Sequence, residues 1–333
     1  MSELRFEDVT IRYGSRRRGM TAADRINLVV PDGSIVGLVG ESGSGKSTLA
    51  RAAVGLTPVS NGRILLDGQP LAQRTGRRRP VQMVFQNPYS SLDPRMTIGD
   101  SIAEAIPKGT GSTKRHQEVA RLLELVELDS SRSDAYPTHL SGGQRQRVAL
   151  ARALAARPEV VIADEITSAL DVSIQGTVLN LVRDLQRELG MSMLFISHNL
   201  AVVRYVASTI AVMYLGQIVE YGPATQVLSD PQHPYTRDLL AAIPGTEVGL
   251  NSGAAGIVPV AIAAAEPGDP HTPPTGCRYH PRCPVGPLVD ADREICRTTE
   301  PDHRHRHAAA CHFAVADVLT PSGTTPLSED LTS

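Results

Sequence analysis

The nine residues Gly40-Glu41-Ser42-Gly43-Ser44-Gly45-Lys46-Ser47-Thr48 constrain the fold of this chain more than any other stretch. They follow the G-x-x-x-x-G-K-S pattern of a phosphate-binding loop, set between an apolar run (Ile35, Val36, Leu38, Val39) and a good helix former, Thr48 to Ala53. In a strand, loop and helix of this kind the glycines curl the backbone so that amide N–H groups face inward. The helix adds the positive end of its dipole. The expected ligand is a polyphosphate, with Lys46 reaching the β and γ phosphates and the Ser47 hydroxyl ligating magnesium.

A chain of 333 residues has room for a full nucleotide-binding domain and something smaller. Its formal charge of -2 gives no bulk attraction to nucleic acid or to a membrane surface, so partners must be sought in local features. The first residues, Met1 to Asp8, are partly acidic and lack an apolar core, so no secretory signal is expected. The longest uncharged apolar run, Ile257 to Ala265, is too short to span a bilayer. We expect a soluble chain that reaches a membrane only through a partner.

The periodicities place the remaining elements. Leu4 to Val30 reads as short strands with a turn near Gly14 and a solvated basic run, Arg16-Arg17-Arg18. Tyr13, shortly before the P-loop strand, offers a ring face on which a nucleobase can stack; a core or surface tyrosine is the plainer alternative. Arg63 to Asp67 reads as a strand, and a second basic run, Arg77-Arg78-Arg79, precedes a strand from Val81 to Phe85 that stops at Gln86-Asn87-Pro88. Thr97 to Arg157 is helical in character, with Val119, Leu122, Leu123 and Val126 on one face. A strand at Val160 to Ala163, a helix from Ser173 to Leu189 closed by Gly190, and a strand from Met191 to Ile196 resume the alternation. Repeated strand, helix, strand units argue for a mostly parallel sheet flanked by helices.

Further chemistry sits at the ends of these strands. Leu140-Ser141-Gly142-Gly143-Gln144 precedes a packed helix and makes a second Gly-rich anion site at a helix N-terminus. Asp164-Glu165 ends the Val160 strand, a position from which an aspartate holds magnesium and its neighbour polarises water. His198 follows the next strand and Gln86 ends an earlier one, and open parallel sheets bind ligands at such ends.

With Ser168-Ala169-Leu170-Asp171 added, this order of motifs resembles the ATP-binding subunits of ABC transporters over residues 4–245. The resemblance implies an α/β fold of the P-loop NTPase class, with a RecA-like core on a mostly parallel sheet, an antiparallel β subdomain and an inserted helical subdomain at about 87–157. It implies that Tyr13 stacks on adenine, that Lys46 and the Gly40 to Gly45 backbone cradle the phosphates, and that Ser47, Gln86 and Asp164 arrange Mg2+. Glu165 would orient the attacking water and His198 would contact the γ phosphate. Thr48, Asp171 and the run Ser141, Gly142, Gly143, Gln144 would complete the ATP contacts, the last run in the site of a second subunit paired head to tail. That second ATP-binding subunit would be a copy or a paralogue. Two positions depart from the family pattern: Ile166 stands where proline is common and Asn199 where aspartate is usual, which puts the loop geometry at Ile166 in question.

The segments Asn87 to Thr97, His233-Pro234-Tyr235-Thr236-Arg237 and Ala241 to Pro244 resemble the oligopeptide and dipeptide importer branch, which also contains nickel importers. That implies two transmembrane permease subunits, an extracytoplasmic peptide-binding protein reached indirectly, and a peripheral place on the cytoplasmic face of the cell membrane. The alternative is an ABC ATPase acting on nucleic acid or ribosomes; the neutral overall charge argues against nucleic acid.

Beyond residue 245 the reading is a linker (246–274), a Cys-rich region (275–315) and a disordered tail (316–333). Cys277, Cys283, Cys296 and Cys311 are spaced C-x5-C-x12-C-x14-C. Disulfides do not suit a reducing compartment, and four thiolates after a linker suggest a metal staple for a piece too small for its own core. The close C-x2-4-C pairs usual for zinc are missing, while iron–sulfur clusters accept varied spacings. Unligated buried cysteines are the plainer alternative. The resembling importers carry a [4Fe-4S] cluster here, which makes it the expected occupant and zinc the alternative. His280, His303, His305, His307 and His312 are further candidate zinc ligands.

Overall fold

The computed structural model describes residues 2–14, 19–71, 79–87, 91–243, 268–269, 271–302 and 308–314. The basic run Arg16 to Arg18, Arg77 and Arg78, Pro88 to Ser90, most of the linker, His303, His305 and His307, and the tail lie outside the described residues.

Two sheets organise the fold. Strands β1 (Leu4–Tyr13), β2 (Met20–Val30), β4 (Asn61–Leu66) and β5 (Gln69–Pro70) form an antiparallel sheet in the order β2-β1-β4-β5. Strands β3 (Ile35–Val39), β6 (Val81–Val84), β7 (Val160–Asp164), β8 (Ser192–Ser197), β9 (Thr209–Tyr214) and β10 (Gln217–Pro223) form the second, in the order β10-β9-β3-β8-β7-β6. It is parallel apart from the antiparallel β9–β10 pair. The opening strands are longer than the short ones expected from sequence. Register shifts between Phe6 and Val9 and between Val9 and Arg12 interrupt the alternation that would have revealed their length.

The parallel strands are buried on both faces, and successive side chains feed two cores. Val36, Leu38, Val160, Ile162, Leu194 and Ile196 meet the antiparallel sheet and helix α1 (Lys46–Ala53). Ile35, Val39, Val161, Ala163, Met193 and Phe195 face the other core, which contains residues of α4 (Gly142–Ala155), α5 (Val172–Leu189) and α6 (Leu200–Val206). Helices α2 (Ile98–Ala105), α3 (Ser112–Leu125) and α4 pack together as the helical insertion, and Val119, Leu122 and Leu123 point into the core as their spacing requires. Helix α5 ends at Gly190 with φ 61°, the left-handed closure expected of a glycine.

After β10 come α7 (Ala224–Ser229), α8 (Pro234–Ala241) and a C-terminal segment with one short helix, α9 (Ile295–Thr298). This segment packs back on the core. The rings of Tyr214, Tyr235 and Tyr279 meet at centroid distances of 4.6 to 5.4 Å, and Ala310 N–H donates to Val219 O at 2.8 Å.

Candidate functional site

The P-loop runs from the end of β3 into α1. Gly45, the N-cap of α1, has φ 104°, and a Cβ there would lie 2.1 Å from Ala22 O. Only glycine passes through that space. Lys46 is 4% exposed, and its ammonium donates to Gly40 O and Glu41 O at 2.8 Å each and to Ser44 Oγ at 3.2 Å. Burial lowers the ammonium's pKa, opposed by the Glu165, Asp164 and Glu41 carboxylates. The lysine thus sits folded against its own loop, its three donors directed at loop acceptors. Ser42 and Gly43 are exposed at the tip.

Ser47 and Asp164 come together from different elements, the hydroxyl donating to Asp164 Oδ1 at 3.1 Å. Burial raises the Asp164 carboxyl; the Ser47 hydrogen bond opposes this and the neighbouring Glu165 adds to it. Gln86 lines the same cleft as Ser47 and Asp164. Hydroxyl, amide carbonyl and carboxylate oxygens suit Mg2+, which prefers oxygen donors.

Glu165 follows with φ 46°, an uncommon conformation for a side chain of its size. Its carboxylate accepts from Gln86 Nε2 at 2.8 Å and lies 3.3 Å from His198 Nδ1. Gln86 and His198, each following a different strand, thus both reach the Glu165 carboxylate. Ile166 is 1% exposed and sits in the core, so the side chain that replaces the usual proline anchors this loop by packing. Asn199 caps α6, accepting from Ala201 N–H at 2.9 Å, a task an aspartate performs equally well.

Tyr13 ends β1 partly exposed, its hydroxyl 3.5 Å from the Thr48 and Thr57 hydroxyls, beside the P-loop helix. Ser141 is the N-cap of α4 and forms a capping box with Gln144: Gln144 N–H donates to Ser141 Oγ at 3.3 Å and Ser141 N–H to Gln144 Oε1 at 3.0 Å. A Cβ on Gly143 would lie 2.6 Å from Ile174 Cγ2, while Gly142 has ordinary contact with Leu170. Asp171 is the exposed N-cap of α5. Among the described residues no hydrogen bond of Ser141, Gln144 or Asp171 reaches the P-loop.

Cys277, Cys283, Cys296 and Cys311 line one small cavity with His233, His280 and His312. All four are free. Burial pushes the Cys277 and Cys283 thiols up to about 12, and the neighbouring cysteines add to the shift. Among the described residues no three His, Cys, Asp or Glu side chains form a group that could hold a metal ion.

Sequence reasoning missed the residues that hold the P-loop from behind. Tyr235 Oη accepts from Glu41 N–H at 2.8 Å, and Arg282 Nη1 donates to both Glu41 carboxylate oxygens at 3.1 Å. Arg282 lies inside the cysteine stretch, one of the five residues between Cys277 and Cys283.

Comparison with known proteins adds two family matches, one relative and two solved structures. Residues 23–168 match the model of the ABC transporter family, and residues 219–286 match that of the oligopeptide/dipeptide transporter C-terminal region. A Brucella abortus (strain 2308) protein, provisionally named a peptide import ATP-binding protein, is 44% identical over 316 residues, covering 92% of this chain and 90% of that one. A dimeric ATP-binding cassette in a post-hydrolysis state with ADP and Pi superposes with a TM-score of 0.59 at 27% identity, over 66% of this chain and 98% of that one. The cbiO1 protein of Clostridium perfringens, part of the ABC transporter complex cbiONQ, gives 0.61 at 26% identity, over 72% and 95%.

Proposed function

The chain belongs to the ATP-binding subunits of ABC transporters, and we propose that its ATP hydrolysis powers import of oligopeptides or dipeptides through a membrane permease. The match to the oligopeptide/dipeptide C-terminal region and the naming of the Brucella relative support the peptide cargo. The observation that carries the enzymatic reading is the junction of Ser47 with Asp164, and of Glu165 with Gln86 and His198, at adjacent strand ends.

The reaction is phosphoryl transfer to water, in which positioning and charge stabilisation do most of the catalysis. Lys46 leaves the Gly40 and Glu41 carbonyls and turns its donors to the phosphates, while the loop's N–H groups cradle them. Ser47, Asp164 and Gln86 would hold Mg2+, which would supply neutralisation of charge on the phosphates. Glu165 accepts a hydrogen bond from the attacking water and draws its proton; Gln86 and His198 set the direction of that carboxylate. Tyr13 gives the adenine a ring to stack on. Among the described residues Ser141 to Gln144 and Asp171 make no hydrogen bond to this chain's P-loop, which suits a role in the site of the second ATP-binding subunit, a copy or a paralogue, in a head-to-tail pair.

Cys277, Cys283, Cys296 and Cys311 form no metal-holding group as they stand, so a [4Fe-4S] cluster there would have to draw them closer together, and it would act as a staple for a segment with little core of its own. Their common cavity supports this assignment. An anaerobic preparation should be brown and contain iron; colourless protein with stoichiometric zinc would replace iron by zinc.

Copurification tests the transport reading. The subunit should copurify with two polytopic membrane proteins and be stimulated by them; ATPase activity stimulated by RNA in their absence would favour the nucleic-acid alternative.

A further inference from the structure

Glu41, the second residue of the P-loop, is fixed at three points. Its N–H donates to Tyr235 Oη at 2.8 Å, its carbonyl accepts from Lys46 Nζ at 2.8 Å, and both carboxylate oxygens accept from Arg282 Nη1 at 3.1 Å. The first and third partners lie 194 and 241 residues along the chain from Glu41, and Arg282 comes from the Cys-rich segment. Arg282 is itself held. It lies against the Tyr279 ring, 5.9 Å from the centroid, and the Tyr214 hydroxyl is a hydrogen-bond partner.

The three contacts differ once nucleotide arrives. Lys46 must release the Glu41 carbonyl to meet the phosphates, because its three donors are spent on the loop. The loop then loses an internal tie while a carboxylate remains beside an incoming polyanion. Like charges repel, and because the Glu41 side chain is 31% exposed, water moderates that repulsion without removing it. Arg282 answers both problems, because a guanidinium bound to both oxygens cancels the charge and keeps the backbone of residue 41 in place.

We propose that Arg282 is a positioning residue of the ATP site, acting through Glu41, and that the Cys-rich segment thereby forms part of the nucleotide-binding machinery. The inference rests on the ATP-binding reading above. It assigns Arg282 no contact with the substrate.

The test is binding of a fluorescent ATP analogue with Mg2+ to the purified full chain, read for wild type, Arg282→Ala, Glu41→Gln and the double variant. Thermal melting of each variant checks the fold. Arg282→Ala should weaken binding roughly fivefold in the wild-type background and less than about twofold in the Glu41→Gln background, as for residues that act as one unit. Arg282→Lys, which keeps the charge but loses the planar guanidinium that sits by the Tyr279 ring, should recover part of the loss. Equal losses in both backgrounds would overturn the proposal, as would unchanged affinity in Arg282→Ala. Should Arg282→Ala fail to fold, the Arg282→Lys comparison in the two backgrounds decides by the same criterion. Wild-type protein that fails to bind the analogue would instead overturn the ATP-binding reading itself.

Discussion

At Gly45 a single hydrogen in place of a methyl group decides whether the P-loop can form. A Cβ there would meet Ala22 O at 2.1 Å, and the φ of 104° is strained for any L side chain. Gly45→Ala should cost about 2 kcal/mol or more of stability. It should also abolish ATP binding, measured by melting and by nucleotide titration. The motif residues were legible because each carries its chemistry in its type and its spacing. Lys46, Ser47, Gln86, Asp164, Glu165 and His198 all fall where the strand ends bring them together. Arg282 and Tyr235 were not legible as P-loop supports, because nothing local in the sequence says that a residue 241 positions away faces Glu41. The strained φ of Glu165 was equally hidden, since the sequence around it offers no glycine to announce it.

At the level of elements, two helix starts are tied down by named side chains, α8 by Glu220 and α4 by Ser141. Glu220 in β10 is fully buried, and its carboxylate accepts from Gln232 N–H at 2.8 Å and His233 N–H at 3.0 Å, tying the start of α8 to the sheet. Burial raises its pKa against those hydrogen bonds. Glu220→Ala removes the acceptor of both hydrogen bonds and should destabilise the fold by about 2–4 kcal/mol, measured by chemical denaturation. Ser141→Ala removes the cap of α4, worth about 1 kcal/mol. Its effect on ATP-driven pairing should exceed what that loss of stability explains, because the same residue would face the partner's nucleotide; cross-linking with and without MgATP checks it. The parallel strands were readable as unbroken apolar runs and α5 from its closing glycine. Strands β9 and β10 went unread although β9 borders the P-loop strand, and the bulged pairing of β1 concealed its length. Pairing across a sheet is a long-range choice, and a single sequence without alternation does not encode it visibly.

On the scale of the whole molecule, the described residues form a nucleotide core, a helical insertion and a C-terminal segment that folds back onto the P-loop. The last contact changes the picture of a catalytic core with an appendage, since the cysteine-bearing segment and the phosphate site share Glu41. The antiparallel sheet is tied to the same segment, Arg278 pairing with Asp24 and Arg25 with Glu300. The site is nonetheless half of a working one if Ser141 to Gln144 serve a second subunit, so binding and turnover should separate when the chemistry alone is disabled. Glu165→Gln in the assembled transporter tests this most directly, with ATP binding and ATP hydrolysis measured on the same preparation. ATP affinity should stay within about threefold of wild type while turnover falls by roughly a factor of a hundred or more, in keeping with the loss of a general base. Hydrolysis at the wild-type rate would contradict the assignment of Glu165 and the mechanism built on it.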